Sequence, residues 1–263
     1  MNPSLPVPLD IKLMNTMALL LALVFAGLLL ALAASWLMQQ QLFRLTAIKV
    51  VGDVRHNNAV SLRANVVPKL SGNLFSVDLS RAQAAFEAVP WVRKALVQRE
   101  FPNRLRVLLQ EHQAIALWSQ DGDTQLVNSF GEVFDANQGD VEADDLPLFS
   151  GPQGQAGLVL QVHRMLVPVF EKIDKRINQL ELTGRGSWRT RLDDGAQLEL
   201  GHGSLPEIQA RAERFVATLT QVASKYDRAL ESADLRYSNG YAIKLRGVTT
   251  TAADAKEDKK AKR

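Results

Sequence analysis

The chain holds 263 residues with 31 Lys or Arg against 28 Asp or Glu, a formal charge of +3, and no cysteine. Without Cys there is no disulfide framework, no thiol nucleophile and no cysteine-ligated metal, and the protein must hold its fold by packing alone. The charge is too small to mark a polyanion-binding surface; the last ten residues alone carry five Lys or Arg against three acids, with no aromatic residue interleaved for base stacking. The lack of Cys suits an exported domain that avoids stray oxidation, and it is equally compatible with a cytosolic one.

Residues 1–16 contain Pro3, Pro6 and Pro8, which disfavour a helix and predict a short extended tail. Residues 17–38 carry no charge and consist almost wholly of Ala, Leu, Val, Met and Phe. At ~1.5 Å per helical residue this stretch covers about 33 Å, enough to cross the ~30 Å hydrocarbon core of a bilayer. Trp36 suits a headgroup-level anchor, and Gln39, Gln40 and Gln41 mark the return to water. Ala31-Leu32-Ala33 resembles a signal-peptide cleavage site. The apolar run nevertheless continues through Trp36, Leu37 and Met38, and only Lys12 supplies positive charge ahead of it, so the segment reads as an uncleaved anchor. Lys12 and the amino terminus on one side face Arg44, Lys49 and Arg55 on the other, and the charge rule does not decide the orientation.

About 225 residues lie beyond this segment, enough for one large or two smaller domains of ~100–150 residues each. Residues 45–52 alternate as a strand that ends at Gly52-Asp53. Asn57 or Asn58 can cap a helix through Val60, Val66 and Val67 that weakens at Pro68 and ends at Gly72. Asp78 can cap a second helix, whose Leu79, Ala82, Phe86 and Val89 fall on one face before Pro90 stops it. Strands 94–101 and 104–111 come next, joined by Pro102-Asn103, with Leu105, Val107 and Leu109 on the buried face. Strand, helix, helix, strand, strand predicts an α+β module whose helices cover one face of a three-stranded sheet.

The next boundary falls between Glu111 and Asp121, and the chain beyond it is mainly β with two helices. Short strands are expected at 114–118, 125–128 and 132–134, and an acidic solvated loop at 137–145. A helix is expected at 158–177, with Leu160, Met165, Leu166, Val169, Phe170 and Ile173 turned inward, and Leu180 and Leu182 then open a strand. Trp188, Thr190 and Leu192 return through Leu198 and Leu200 about the Asp193-Asp194-Gly195 turn. Ile208, Ala212, Phe215, Leu219 and Val222 line one face of a helix over 205–226, with Arg211, Arg214 and Lys225 outside. Strands 233–238 and 241–246 flank Asn239-Gly240, a pair that two-residue type I′ turns prefer. Residues 249–263 read as a disordered, solvating tail.

Catalytic chemistry finds little support. His56, His112, His163 and His202 are scattered without ligand spacing, there is no Gly-x-Ser-x-Gly elbow, and Gly184-Arg185-Gly186 is too short to cradle a phosphate. Glu100 and Glu111 fall at the ends of neighbouring strands as solvated charges. Trp91, after a helix-stopping Pro, packs the helix onto the sheet. Arg99 is either a sheet-surface charge or part of a docking face. The last strand carries core residues, and the chain turns polar after it, so it can also lie at a sheet edge that templates another strand.

The small module resembles a POTRA domain. The longer pattern resembles the bacterial FtsQ/DivIB cell-division family, in Pro90-Trp91-Val92, Ala95, Val97, Arg99, Phe101-Pro102, Leu105, Val107, Glu111, Ala116 and Trp118. It continues in Leu146-Pro147-Leu148, Gly151-Pro152, Leu200-Gly201, Asp234-Leu235-Arg236-Tyr237 and Gly240, and covers roughly residues 43–246. Phe101 stands where the family usually has Trp, and Gln113 where it usually has Pro.

The resemblance implies a single-pass inner-membrane protein: a cytoplasmic tail (1–16), a transmembrane helix (17–38), a POTRA domain (45–114), a larger β domain (115–248) and a tail (249–263). It implies a divisome scaffold at the septum, its domains periplasmic, that makes and breaks no bond. No cofactor, metal or nucleic acid is expected, and the partners are FtsB and FtsL, with other divisome proteins at the POTRA domain. Joined to the edge-strand reading, it makes Arg236, Tyr237, Ser238, Asn239, Gly240, Tyr241, Ala242 and Ile243 the partner-binding residues, with Arg99 a POTRA docking position. A membrane-tethered cell-wall enzyme and a POTRA-type chaperone of exported chains are the alternatives.

Overall fold

The structure is a computed structural model that describes residues 9–38, 43–52, 54–57, 62, 65–70, 73–120, 122–141, 145–226, 229–237 and 239–247. Gln39 to Gln41, most of the helix expected after Asn57, Ser238 and the tail at 249–263 lie outside those residues. So do residues 1–8 and the side chains of Val222 and Lys225. Two compact units divide between Glu111 and His112.

The first unit opens with helix α1, Leu9–Met38. It is long and apolar enough to cross a membrane, and none of residues 10–36 is buried within the protein, so it is not a core helix. It starts earlier than expected. Pro8 is the last proline before the span, and nothing from Leu9 to Met38 breaks a helix, so residues 9–16 extend the span instead of forming a tail. At ~1.5 Å per residue α1 is about 45 Å long, which carries Asp10 and Lys12 to headgroup level when the apolar part fills the bilayer.

The module beyond it contains β1 (Ala47–Gly52), α2 (Leu79–Glu87), β2 (Val92–Glu100) and β3 (Arg104–Glu111). The sheet order is β1-β3-β2, with β1 parallel and β2 antiparallel to β3. Strict alternation along β3 buries Leu105, Val107 and Leu109, which meet Ala82, Ala85 and Phe86 of α2 in one core. Asp78 caps α2 as its position predicts, its Oδ1 accepting from the N–H groups of Ser80 (2.9 Å) and Arg81 (3.1 Å). Gly52 pairs with Leu109 so closely that a Cβ there would lie 2.2 Å from the Leu109 carbonyl oxygen. Only glycine fits that approach. Of the first expected helix, Leu62 and Val66 are buried, and a 3-10 turn at Val67–Lys69 places Pro68 in its opening positions.

The second unit is one nine-stranded sheet. Its strands are β4 (Ala114–Gln120), β5 (Asp123–Asn128), β6 (Val133–Phe134), β7 (Leu148–Ser150), β8 (Ile177–Leu182), β9 (Trp188–Leu192), β10 (Gln197–Gly201), β11 (Leu230–Asp234) and β12 (Ala242–Leu245). The spatial order is β12-β11-β10-β9-β8-β7-β4-β5-β6. Helices α3 (Ala156–Phe170) and α4 (Leu205–Tyr226) each cross between adjacent parallel strands, β7 to β8 and β10 to β11. Val159, Leu166 and Phe170 of α3 and Ile208, Ala212 and Phe215 of α4 share one core with Phe149, Leu180, Leu198 and Trp188 of the sheet.

Two expectations change here. The helix expected to run to residue 177 stops at Phe170, passes through a 3-10 turn at Glu171–Ile173 and ends at Asp174, whose φ of 53° is left-handed. Ile177 opens β8. Ile177 lies four positions after Ile173, a spacing that fits a helix face, and a short apolar run does not separate helix from strand. The terminal hairpin is also looser than a two-residue turn. β11 ends at Asp234 and β12 begins at Ala242, and Gly240 is not among the glycines with positive φ. Instead the Leu235 N–H donates to the Glu199 carbonyl (2.8 Å), which draws the chain toward β10 rather than toward β12.

Candidate partner-binding site

Among the described residues β12 is the outermost strand on its side of the sheet, with β11 as its neighbour. The Arg246 N–H donates to the Ala229 carbonyl (2.9 Å) and therefore faces the sheet. Alternation along an extended strand then turns the N–H groups of Ala242 and Lys244 inward and those of Ile243 and Leu245 outward. The outer edge thus presents a short row of main-chain donors and acceptors. Ile243 is half-buried and Leu245 buried, while Ala242 and Lys244 are exposed; the Lys244 ammonium pairs with Glu231 on β11.

The described residues of the connection between β11 and β12 lie against β10 and α4, through Leu235 and Tyr241. Arg236 is clamped by Asp234, its Nε donating to Oδ1 (2.8 Å) and its Nη2 to Oδ2 (2.6 Å). The Arg236 side-chain hydrogen bond holds the Asp234 carboxyl below its ordinary range. Tyr237 is 58% exposed, and Asn239 and Gly240 are exposed beside it. Tyr241 turns inward: its hydroxyl lies 2.5 Å from Thr218 Oγ1 and its ring meets Phe215 edge-on at 5.2 Å. Between the connection and α4 lies a cleft of about 190 Å³, lined by Arg211, Arg214, Thr218, Leu235, Asn239, Gly240 and Tyr241. Of the eight expected residues, Asn239, Gly240 and Tyr241 line the cleft, Ala242 and Ile243 lie on β12, Arg236 and Tyr237 come between β11 and Asn239 in the chain, and Ser238 lies outside the described residues. Arg211 and Thr218 were not expected at this site. Sequence spacing puts Arg211 on the outer face of α4, but it cannot reveal that the connection folds onto that face.

Arg99 sits elsewhere, on β2. Its Nε donates to the Leu74 carbonyl (2.6 Å) and its Nη2 to those of Val77 (2.9 Å) and Phe75 (3.4 Å), so the guanidinium ties the 73–77 turn to the sheet. Glu111 is not a solvated charge. It is 7% exposed, and its carboxylate accepts the N–H groups of Arg55 (2.9 Å), His56 (3.0 Å) and Asn57 (3.0 Å) as well as Asn57 Nδ2 (2.9 Å). Burial alone would raise its pKa, but these bonds, those from His56 and Asn57 foremost, hold it below the ordinary carboxylate value. Glu100 lies at the other end of the β2–β3 ladder, opposite Arg104, so the two acids do not form a pair.

The histidines likewise serve separate places. His56 stacks at 4.0 Å on Trp91, which is buried and has a left-handed φ of 70°. His112 stacks on Phe134 at 4.1 Å, and His202 is exposed. His163 is a half-buried helix residue packed against Phe149, and burial with Arg164 beside it lowers its pKa to about 4. Among the described residues, no group of three or more His, Cys, Asp or Glu is arranged to hold a metal ion.

Comparison with known proteins sets this geometry in a family. The profile described as "Cell division protein FtsQ/DivIB, C-terminal" matches residues 116–236, and that of the "POTRA domain, FtsQ-type" matches residues 43–112. The chain is 38% identical to the cell division protein FtsQ of Thiomonas arsenitoxydans, over 92% of this chain and 90% of that protein. It is 42% identical to that of Burkholderia pseudomallei, over 85% and 90%, and 35% identical to that of Bordetella pertussis, over 97% and 98%. The chain belongs to the FtsQ/DivIB family. The fold is accordingly a POTRA domain followed by a larger, mainly β domain behind a helix able to span a membrane, and membership of FtsQ/DivIB ties it to cell division. Arg99 and Glu111 fall within the POTRA match. The FtsQ/DivIB C-terminal match reaches Arg236, so residues 237–243 of the candidate edge come after it in the chain.

Proposed function

We propose that this protein is a non-enzymatic scaffold of the division machinery. In this reading α1 fixes it in the inner membrane with its N-terminal tail in the cytoplasm and its domains (45–114 and 115–248) in the periplasm, at the septum. The β domain docks FtsB and FtsL, and the POTRA domain contacts other division proteins. The observation that carries the reading is β12 at the open edge of a nine-stranded sheet, beside an exposed Tyr237 and a cleft bordered by two arginines. An extended partner segment adds a strand along β12, main-chain bonds supply affinity, and side chains in the cleft set register.

The experiment is depletion with complementation. Cells that lose the protein are expected to grow as smooth, undivided filaments, and the full chain to restore division and to retain FtsB and FtsL on purification. A chain shortened to end at Asp234 is expected to reach the membrane and to lose both partners. Retention of both partners by that shortened chain defeats the docking site, and normal division in depleted cells defeats the function.

A further inference from the structure

The POTRA module carries an aromatic tip at the end where its chain arrives from α1. Phe43 and Phe75 meet edge-on at 4.9 Å, and Phe75 and Phe101 lie 5.9 Å apart. Phe101, in the β2–β3 turn, is 66% exposed. The tip is fixed to the entry segment: the Leu74 N–H donates to the Phe43 carbonyl (2.8 Å), Arg44 bridges to Asn73, and the Thr46 N–H donates to the Asn103 carbonyl (3.0 Å). The β2–β3 turn and the entry of the chain are thus one end of the module. Arg44 and Arg104 are exposed there, Arg99 is bound to the Leu74, Phe75 and Val77 carbonyls, and half-buried Glu100 is the acid beside Arg104.

Chain length decides what this end faces. Phe43 is five positions beyond Met38, the last residue of α1, and five residues span at most about 18 Å even fully extended. The headgroup layer is itself roughly 5–8 Å deep on each side of the hydrocarbon. An exposed Phe101 backed by the half-buried Phe75 and Phe43 and flanked by arginines, held this close to a bilayer, has the chemistry of an interfacial contact, the outer ring at the headgroup and acyl boundary and guanidinium groups on the phosphates. We propose that the Phe43, Phe75 and Phe101 tip, with Arg44 and Arg104, docks on the surface of the bilayer that α1 spans, Phe101 entering the headgroup region and holding the module in one orientation. This rests on α1 being a membrane anchor.

The test uses the full chain in phosphatidylcholine vesicles with a quarter phosphatidylglycerol and acyl-brominated lipid as quencher of tryptophan fluorescence. Trp91, Trp118 and Trp188 are buried and give a constant background, and Trp36 reports the anchor. Two variants in a Trp36→Phe background move the reporter, Phe101→Trp to the tip and Leu108→Trp to the exposed sheet face. Bromolipid is expected to quench position 101 at least threefold more than position 108. Native Trp36 quenched while position 101 is quenched no more than position 108, or stays equally open to aqueous iodide, overturns the bilayer contact and leaves the tip to a protein partner. An unquenched Trp36 overturns the anchor itself. Should Phe101→Trp not fold, Asn103→Cys in this cysteine-free chain takes a bimane label, with the same two outcomes.

Discussion

Asn57 and Glu111, 54 positions apart, meet at a single carboxylate oxygen: the Asn57 N–H donates to Glu111 Oε1 at 3.0 Å and the Asn57 Nδ2 at 2.9 Å. The same Nδ2 also donates to the Pro90 carbonyl at 3.1 Å. The other oxygen takes the N–H groups of Arg55 and His56. One side chain at the end of β3 therefore fixes the loop after β1 and the turn before β2, and removing it takes the acceptor from the buried Asn57 N–H.

Glu111→Ala is expected to destabilise the POTRA module by about 2–4 kcal/mol, since charge-assisted bonds are lost and the buried Asn57 N–H is left without its acceptor. Urea melts of the purified chain measure it. The pH dependence has a fixed sign. The folded pKa lies below the ordinary 4.5, so the carboxylate's contribution is complete above that value and is lost as pH falls through the lower folded pKa. Glu111→Gln is expected to flatten this acid limb. A variant as stable as wild type at neutral pH counts against the role.

Arg99→Ala is expected to loosen the 73–77 turn and to cost about 1–3 kcal/mol, because three main-chain carbonyls lose their donor. Arg99→Lys recovers little, since an ammonium cannot reproduce the fixed fork of a guanidinium. Hydrogen exchange at the Phe75, Ser76 and Val77 amides reads the loosening directly. Unchanged exchange together with a lost division partner would return Arg99 to a docking role.

How much the sequence makes legible depends on how local each signal is. Asp78 capping α2, the alternation of β3 and the limits of α4 at 205–226 all rest on neighbours within a turn or a strand, and the structure has them as read. The misreadings lie where distant contacts compete. Glu111 looks solvated at a strand end until a loop more than fifty residues earlier closes over it. Asn239-Gly240 has the composition of a tight turn, yet Leu235 is bound to β10 and Tyr241 to α4, so the chain spans a wider connection. The edge position of β12 is legible from the polar tail that comes after it. The cleft beside that edge is not, because it needs α4 and the connection brought together.

His163 gives the β domain a second pH limb. Its folded pKa, about 4, lies below the ordinary 6.5, so the neutral ring is the folded form. Its contribution is complete above about 6.5 and declines as pH falls from there toward 4, where the unfolded chain gains a proton that the folded one refuses. Thermal melts at pH 7.5 and 5.0 are expected to show a loss that His163→Gln reduces. An equal loss in the variant assigns the acid sensitivity to other groups.

The docking edge is tested by proline at two adjacent positions of β12. Proline removes an N–H, and its effect depends on where that N–H points. The bond from Arg246 to Ala229 sets the alternation, which aims the Lys244 N–H at β11 and the Ile243 N–H at the open edge. Lys244→Pro is therefore expected to break the inner ladder and lower the stability of the β domain. Ile243→Pro is expected to stay folded while its affinity for FtsB falls at least tenfold, or about 1.4 kcal/mol. Ile243→Ala controls for the lost side chain, which packs partly on the core. Circular dichroism reads the fold, and co-purification or calorimetry with a FtsB segment reads binding. If Ile243→Pro folds and binds as Ile243→Ala does, the partner strand does not pair along β12. If Ile243→Pro unfolds while Lys244→Pro does not, the alternation is the reverse of that set by Arg246.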